Sequence, residues 1–433
     1  MTQRAKSIEG KIRAEGAQFE GLALPPEFVA PHYRGCSIVN LTASVAQIFG
    51  AQKDRTPLDA AYLGSLPRGV RQVVMVMVDA LGYQTLRRAL AASRRNGLRC
   101  LLEAGGRLAP LTSVFPSTTT AALTSLWTGY TPAEHGFVGY QLFLREFSTR
   151  ANMISFSPAA TQGLGKYQLL DAGLQPEKFL PVSTLPEALA EVGVPVYNLL
   201  EQPYIASPLG RTQFRGVRAS RGIVTSSDLW VELRRWLEEL RGQQAIVMVY
   251  WSAVDTLGHV YGPQSEAIAA ELDGFGHGFE RQFWSKLSPA ARRGTLLLLT
   301  ADHGMAPTLP DQALLLKQHP ELNDRLVLSY TGDARAAYLH CRQGQVKAVR
   351  RYFETRFADQ FFVLDSQAAL AAGLFGSGQP APETEHRVGD LIVVSRGGAS
   401  LCDRNERPKE LGRHGGLLAD EMVVPLLAGR LDA

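Results

Sequence analysis

Four short apolar runs, each set beside aspartate or histidine, constrain this chain more than any other feature. Val-Val-Met-Val-Met-Val (73–78) stops at Asp79, and Ala-Ile-Val-Met-Val-Tyr-Trp (245–251) leads on to Asp255 and His259. Leu-Leu-Leu-Leu-Thr (296–300) leads to Asp302-His303, and Gly-Arg-His-Gly-Gly (412–416) sets His414 ahead of Met-Val-Val-Pro-Leu-Leu (422–427). Runs this short and this apolar read as strands buried on both faces of a parallel sheet. Open α/β sheets bind ligands at the carboxyl ends of their strands. The six polar residues are therefore expected to share one crevice.

Alternation of such strands with helical segments supports the α/β class. Leu81–Arg95 follows the first strand as a helix, with Asp79 in the turn between. Val194–Leu200 reads as a further strand. Ser226–Leu240 carries Leu229, Trp230, Leu233, Trp236, Leu237 and Leu240 on one helical face, a core stripe stopped by Gly242. Gln264–Leu287 reads as another helix. The pattern predicts a three-layer sandwich with a mainly parallel central sheet. Residues 1–30 read as a polar lead-in, and 31–322 with 402–433 as the main α/β domain. The stretch 323–401 differs. Its short strand candidates (Leu326–Ser329, Ala336–Cys341, Phe361–Leu364, Leu391–Ser395) alternate with short helices, as in a smaller α+β insert.

Composition excludes several classes. The net charge of +4 over 433 residues is small and the basic residues are scattered, so a nucleic-acid-binding surface is not expected. Four cysteines lie far apart with no CxxC pair, which argues against a disulfide framework or a thiolate metal site. No apolar run approaches the ~20 residues of a membrane span. The polar start MTQRAKSIEG lacks the apolar segment of a signal peptide. A cytoplasmic protein is the expectation.

Aspartate and histidine without thiolate suit zinc, and manganese accepts the same ligands. Asp255-Thr-Leu-Gly-His259 spaces two ligands so that one helical turn or a tight loop aims both at one ion. Side chains of adjacent residues diverge in a strand, so Asp302-His303 belongs in the turn after it, where Gly304 frees the backbone. Singly, each residue has a plainer reading: a helix cap for Asp79, a chance pair for Asp255 and His259, a turn histidine for His414. Their joint occurrence at run ends favours a shared metal centre. Ser117-Thr118-Thr119-Thr120, ahead of the apolar stretch Ala121–Trp127, sets hydroxyls at a helix start, where N–H groups and dipole suit a phosphate. By itself this is a multiply capped helix; beside a metal centre, one threonine becomes a candidate nucleophile.

In this order the motifs resemble the alkaline phosphatase superfamily, and within it the type I phosphodiesterase/nucleotide pyrophosphatase branch. The parallel runs through Asp79, Phe115-Pro116, Thr128-Gly129, Pro132 and His135-Gly136 to His414, within about 73–427. The resemblance implies an alkaline-phosphatase-like fold and Thr119 as nucleophile, with Thr118 and Thr120 keeping the register open. It implies that Asp79, Thr119, Asp302 and His303 surround one divalent ion, and that Asp255, His259 and His414 hold another. It also implies a phosphothreonine intermediate, hydrolysed with net retention at phosphorus. Where the branch usually carries an asparagine that contacts a phosphoryl oxygen, this chain has Tyr140. A tyrosine hydroxyl can also donate to phosphate, so the choice between diester and monoester stays open. Arg145, Arg150 and Lys166 are candidate contacts for a phosphate or leaving group, with surface solvation as the plainer reading. The expected function is metal-dependent hydrolysis of small-molecule phosphodiesters or nucleotide-type pyrophosphates. The alternatives are a monoesterase or phosphomutase-like enzyme of this fold, and a metal-stabilised binding protein without turnover.

Overall fold

The computed structural model describes residues 3–15, 19, 21–93, 95–161 and 165–433. A seven-stranded sheet forms its centre. In chain order the strands are β1 (Gln72–Val78), β2 (Arg107–Thr112), β3 (Val196–Glu201), β4 (Ala219–Ile223), β5 (Ala245–Trp251), β6 (Thr295–Thr300) and β7 (Val423–Arg430). Across the sheet they run β2-β7-β6-β1-β5-β3-β4. β1 pairs in parallel with β5 and β6, β5 with β3, and β3 with β4. β7 alone runs antiparallel, between β2 and β6. Every residue of β1 and β6 is buried, as the uninterrupted apolar runs require.

The helices form two groups, giving the expected three-layer α/β sandwich. Tyr83–Ala92, Ser226–Glu239 and Glu266–Gly278 pack together in one group. In the other, Ile38–Ile48 packs against α1 (Thr119–Thr128). Helix Gln3–Glu15 folds back onto β2 and buries Ala5, Ile8 and Ile12.

A second seven-stranded, antiparallel sheet takes strands from 331–395 and is continued by Gln141–Pro158. The strand candidates at 336, 361 and 391 fall in it, whereas Leu326 makes only an isolated bridge to Cys341. Its apolar residues alternate between two cores. Ala336, Tyr338, Ile392 and Val394 face the main body, while Ala337, Leu339, Leu391 and Val393 face a smaller core of their own. This period-two burial is what a sheet covered on both sides demands.

The topology delivers the polar residues to one edge. β1, β5 and β6 end there, and β2 runs the same way and carries the chain on to Thr119. β7 starts there because it is reversed, so His414, just ahead of it, arrives at the same edge.

Candidate metal centre

Asp79 follows β1 directly, and Asp302 and His303 follow β6 in irregular backbone. Asp79 does not cap the next helix, whose N-cap is Gly82. Its Oδ2 instead accepts a short hydrogen bond from the Tyr250 hydroxyl. Asp302 Oδ1 accepts from the N–H groups of Ala80 (3.2 Å) and His303 (2.9 Å). His303 Nε2 lies 3.4 Å from both Asp79 Oδ1 and Asp302 Oδ2. The three residues are buried and form one potential metal-holding group. Thr119 begins α1 and sets its Oγ1 3.1 Å from His303 Nε2. Thr120 turns away, its hydroxyl donating to the Gly139 carbonyl, and the N-cap Thr118 is fully buried.

The second group is Asp255, His259 and His414. α2 (Ala253–Tyr261) carries the first two on one face, one turn apart. His259 Nε2 lies 3.3 Å and His414 Nε2 3.5 Å from Asp255 Oδ1. The rings of His303 and His414 stack at 3.9 Å, so the two groups adjoin.

The donor set fits two divalent cations. Asp79 Oδ1, Asp302 Oδ2 and Asp255 Oδ1 are buried with no hydrogen-bond partner among the described residues, a costly arrangement without a counter-charge. His303 Nδ1 lies 2.9 Å from the Gly304 carbonyl and His259 Nδ1 2.8 Å from the Gly412 carbonyl. A carbonyl only accepts, so each Nδ1 carries a proton and each Nε2 is the atom left to face a cation in the cluster. Burial, then repulsion from Asp302 and Asp255, pushes the Asp79 carboxyl well above the usual range. Burial raises Asp302 to about 7, against the hydrogen bonds it accepts from backbone. Burial, then His303 and His259, holds His414 neutral.

Beside the two groups opens a cavity of about 220 Å³. Asp79, Thr119 and Asp255 form part of its wall; Leu123, Trp127, Phe214 and Tyr204 supply apolar surface and Lys166 a cation. Among the basic candidates, Arg145 pairs instead with Glu383 and Arg150 with Asp403. The Tyr140 hydroxyl accepts from the Asn152 amide at 2.6 Å, and Tyr140 is not among the residues lining the cavity. His135 is buried, hydrogen-bonded to Ser125 and to the Phe137 N–H, and burial lowers it to about 3, a packing role. Sequence reading missed Tyr250, whose position in β5 looked like plain core, and Asp333, which accepts from the Tyr140 N–H.

Residues 73–417 match the family model for type I phosphodiesterase/nucleotide pyrophosphatase. The chain belongs to that family. Membership makes it a phosphoric ester hydrolase, with candidate metal-holding groups of the acidic and histidine type. Two of the solved structures that share the fold are informative. One is murine ectonucleotide pyrophosphatase/phosphodiesterase 5, an inactive variant in complex with AMP, with TM-score 0.59, 16% identity, and coverage of 82% of this chain and 87% of that one. The other is phosphonoacetate hydrolase from Sinorhizobium meliloti 1021 in complex with phosphonoformate, with TM-score 0.59, 20% identity, and coverage of 83% and 90%. No curated protein sequence matches the chain significantly.

Proposed function

We propose that this protein hydrolyses phosphodiesters or nucleotide-type pyrophosphates through Thr119 at a two-metal site. The carrying observation is the convergence of Thr119 Oγ1 on His303 Nε2 within the Asp79–Asp302–His303 group, with the Asp255–His259–His414 group stacked alongside. Asp79, Asp302 and His303 would hold one divalent ion and Asp255, His259 and His414 the other. Such ions supply Lewis-acid lowering of a hydroxyl pKa and neutralise charge on the transferring phosphoryl group. Zinc fits the imidazole and carboxylate donors, and manganese is the alternative.

The chain's own residues then divide the work. Thr119 attacks phosphorus, forming the Oγ–P bond as the bond to the leaving oxygen breaks. Thr119 is preferred over Thr120, whose hydroxyl is spent on Gly139. The first turn of α1 offers N–H groups and positive dipole to the phosphoryl oxygens. Attack of water on the phosphothreonine regenerates the hydroxyl, and two inversions give retention. The Tyr250 hydroxyl holds the outer oxygen of Asp79 and leaves Oδ1 turned inward.

The apolar cavity favours an ester with a sizeable second substituent, hence a diester or pyrophosphate over a simple monoester. The murine neighbour's AMP complex is consistent with that class. Lys166 gives an anionic leaving group a partner. The Tyr140 oxygen accepts from the Asn152 amide, which leaves its own O–H to donate to a phosphoryl oxygen. Residues 323–401 we read as a subordinate unit that shares its sheet with 141–158. Four unpaired cysteines suit a reducing compartment such as the cytoplasm. No helix among the described residues is long and apolar enough to cross a membrane.

The test compares turnover of bis-p-nitrophenyl phosphate, p-nitrophenyl thymidine monophosphate and p-nitrophenyl phosphate by zinc-loaded and chelator-stripped protein. Diester rates well above the monoester rate, lost on stripping, are expected. A monoester preference would favour the phosphatase reading, and zinc binding without turnover would favour a non-catalytic binding protein.

A further inference from the structure

One buried ion pair lies outside the two metal groups yet touches both of their loops. Arg335 immediately precedes the strand Ala336–Leu339 of the second sheet, and Glu421 lies in the helical turn Ala419–Met422 just ahead of β7. Both are fully buried. Arg335 Nε donates to Glu421 Oε1 at 2.7 Å and Nη2 to Oε2 at 3.1 Å, a forked pair, while Nη1 donates to the Ala399 carbonyl at 2.7 Å. The remaining lone pairs of the carboxylate accept from the Gly416 N–H (2.8 Å) and the Leu418 N–H (3.2 Å).

Stability alone is a poor reason for this pair. Well-packed apolar residues in place of a buried ion pair are often neutral or stabilising. What the pair does specifically is fix the segment after His414. Gly416 is pressed so closely on the carboxylate that a Cβ there would sit 2.8 Å from Glu421 Oε2. A Cβ on Gly415 would sit 2.7 Å from Asp333 Cβ. On the opposite side the Ser117 hydroxyl donates to the Gly416 carbonyl at 2.8 Å. The loop is thus gripped between the segment leading to Thr119 and the second sheet. The backbone of Glu421 does a separate job: its carbonyl accepts from the Gly304 N–H at 2.7 Å, next to His303. A side-chain change at Glu421 is therefore expected to loosen the His414 loop and to leave the His303 contact in place.

We infer that Arg335 and Glu421 are positioning residues for His414, through which the second sheet sets the affinity of the Asp255–His259–His414 group for its metal. The inference rests on the two-metal reading above.

The test is zinc affinity, measured by competition with a chromophoric chelator in two single-site backgrounds. Asp302→Asn leaves the Asp255–His259–His414 group intact, and His259→Ala leaves the Asp79–Asp302–His303 group. Glu421→Gln is expected to weaken zinc at least tenfold in the first background, within the 10–100-fold span of outer hydrogen-bond partners, and less than about threefold in the second. Melting of the metal-free variants is followed in parallel. Should Glu421→Gln fail to fold, Arg335→Lys keeps the charge but loses the fork, and the same selective loss of at least about threefold is expected of it. Equal weakening in both backgrounds, or none in the first, would overturn the inference. Failure of both single-site parents to bind zinc would instead overturn the two-metal reading, and the inference with it.

Discussion

The two metal groups contain the same residue types and are built differently. Asp79, Asp302 and His303 hang from strand ends, with side chains 3%, 0% and 0% exposed. Asp255 and His259 ride on a helix and His414 on a glycine-rich loop, with side chains 19%, 29% and 10% exposed. The first group sets two carboxylates against one imidazole, the second the reverse. Burial with two negative charges makes the first group costly without a cation. The second keeps contact with solvent. Under the proposed two-metal function, the first group would be the fixed seat beside Thr119 and the second the open position for leaving group and water.

The largest effect is expected at the residue the buried group surrounds. Thr119→Ala should lower turnover by roughly 10⁴-fold while metal analysis still finds two ions per chain. Loss of an ion in that variant would make the threonine a structural ligand. Next come the ligands, where the comparison is sharpest. Asp302→Asn should cost on the order of 10³-fold in rate, and excess zinc should not restore it. His259→Ala should weaken zinc about 10–100-fold, with activity recovered at high zinc. Equal rescue of both would erase the distinction between the groups.

A smaller effect concerns the metal-free protein. The Asp302 carboxyl, raised to about 7 by burial, binds its proton more tightly folded than unfolded. Between an unfolded value of about 3.9 and about 7, the native state holds more protons, so stability falls as pH rises through that window. Metal-free Asp302→Asn should therefore melt above metal-free wild type at pH 8, by a few kcal/mol at most in order of magnitude, and match it near pH 4. A wild type that stabilises with rising pH across this window, relative to the variant, would contradict the burial argument. Smallest is the cavity effect. Phe214→Ala should raise KM for the thymidine ester by about tenfold, with kcat little changed, and leave p-nitrophenyl phosphate unaffected.

The strand-end residues were legible because an uninterrupted apolar run has few alternatives to a central strand, and such a strand exposes only its end. Asp79, Asp302 and His303 follow from that, and the Asp255–His259 spacing from helical geometry. Other parts were hidden for physical reasons. β2 contains Pro110, which argues against a strand; it is allowed here because β2 is an edge strand and Pro110 faces Pro425 of β7. β4, Ala-Ser-Arg-Gly-Ile, is a half-exposed edge strand with no apolar run to mark it. Gln141–Pro158 joins strands almost two hundred residues away, which no local pattern records. Arg335 and Glu421 are 86 residues apart in the chain, and each looks like a surface charge until the fold buries both. Lys166 and Arg150 are alike as sequence, and only the fold gives Arg150 its partner Asp403 and sets Lys166 at the cavity.

The most direct test of the central claim is rapid acid quench of the zinc-loaded enzyme during turnover of p-nitrophenyl thymidine monophosphate, followed by peptide mass spectrometry. A thymidylyl adduct on Thr119 is expected, transient in wild type and absent from Thr119→Ala. An adduct on Thr118 or Thr120, or undiminished turnover by Thr119→Ala, would contradict it.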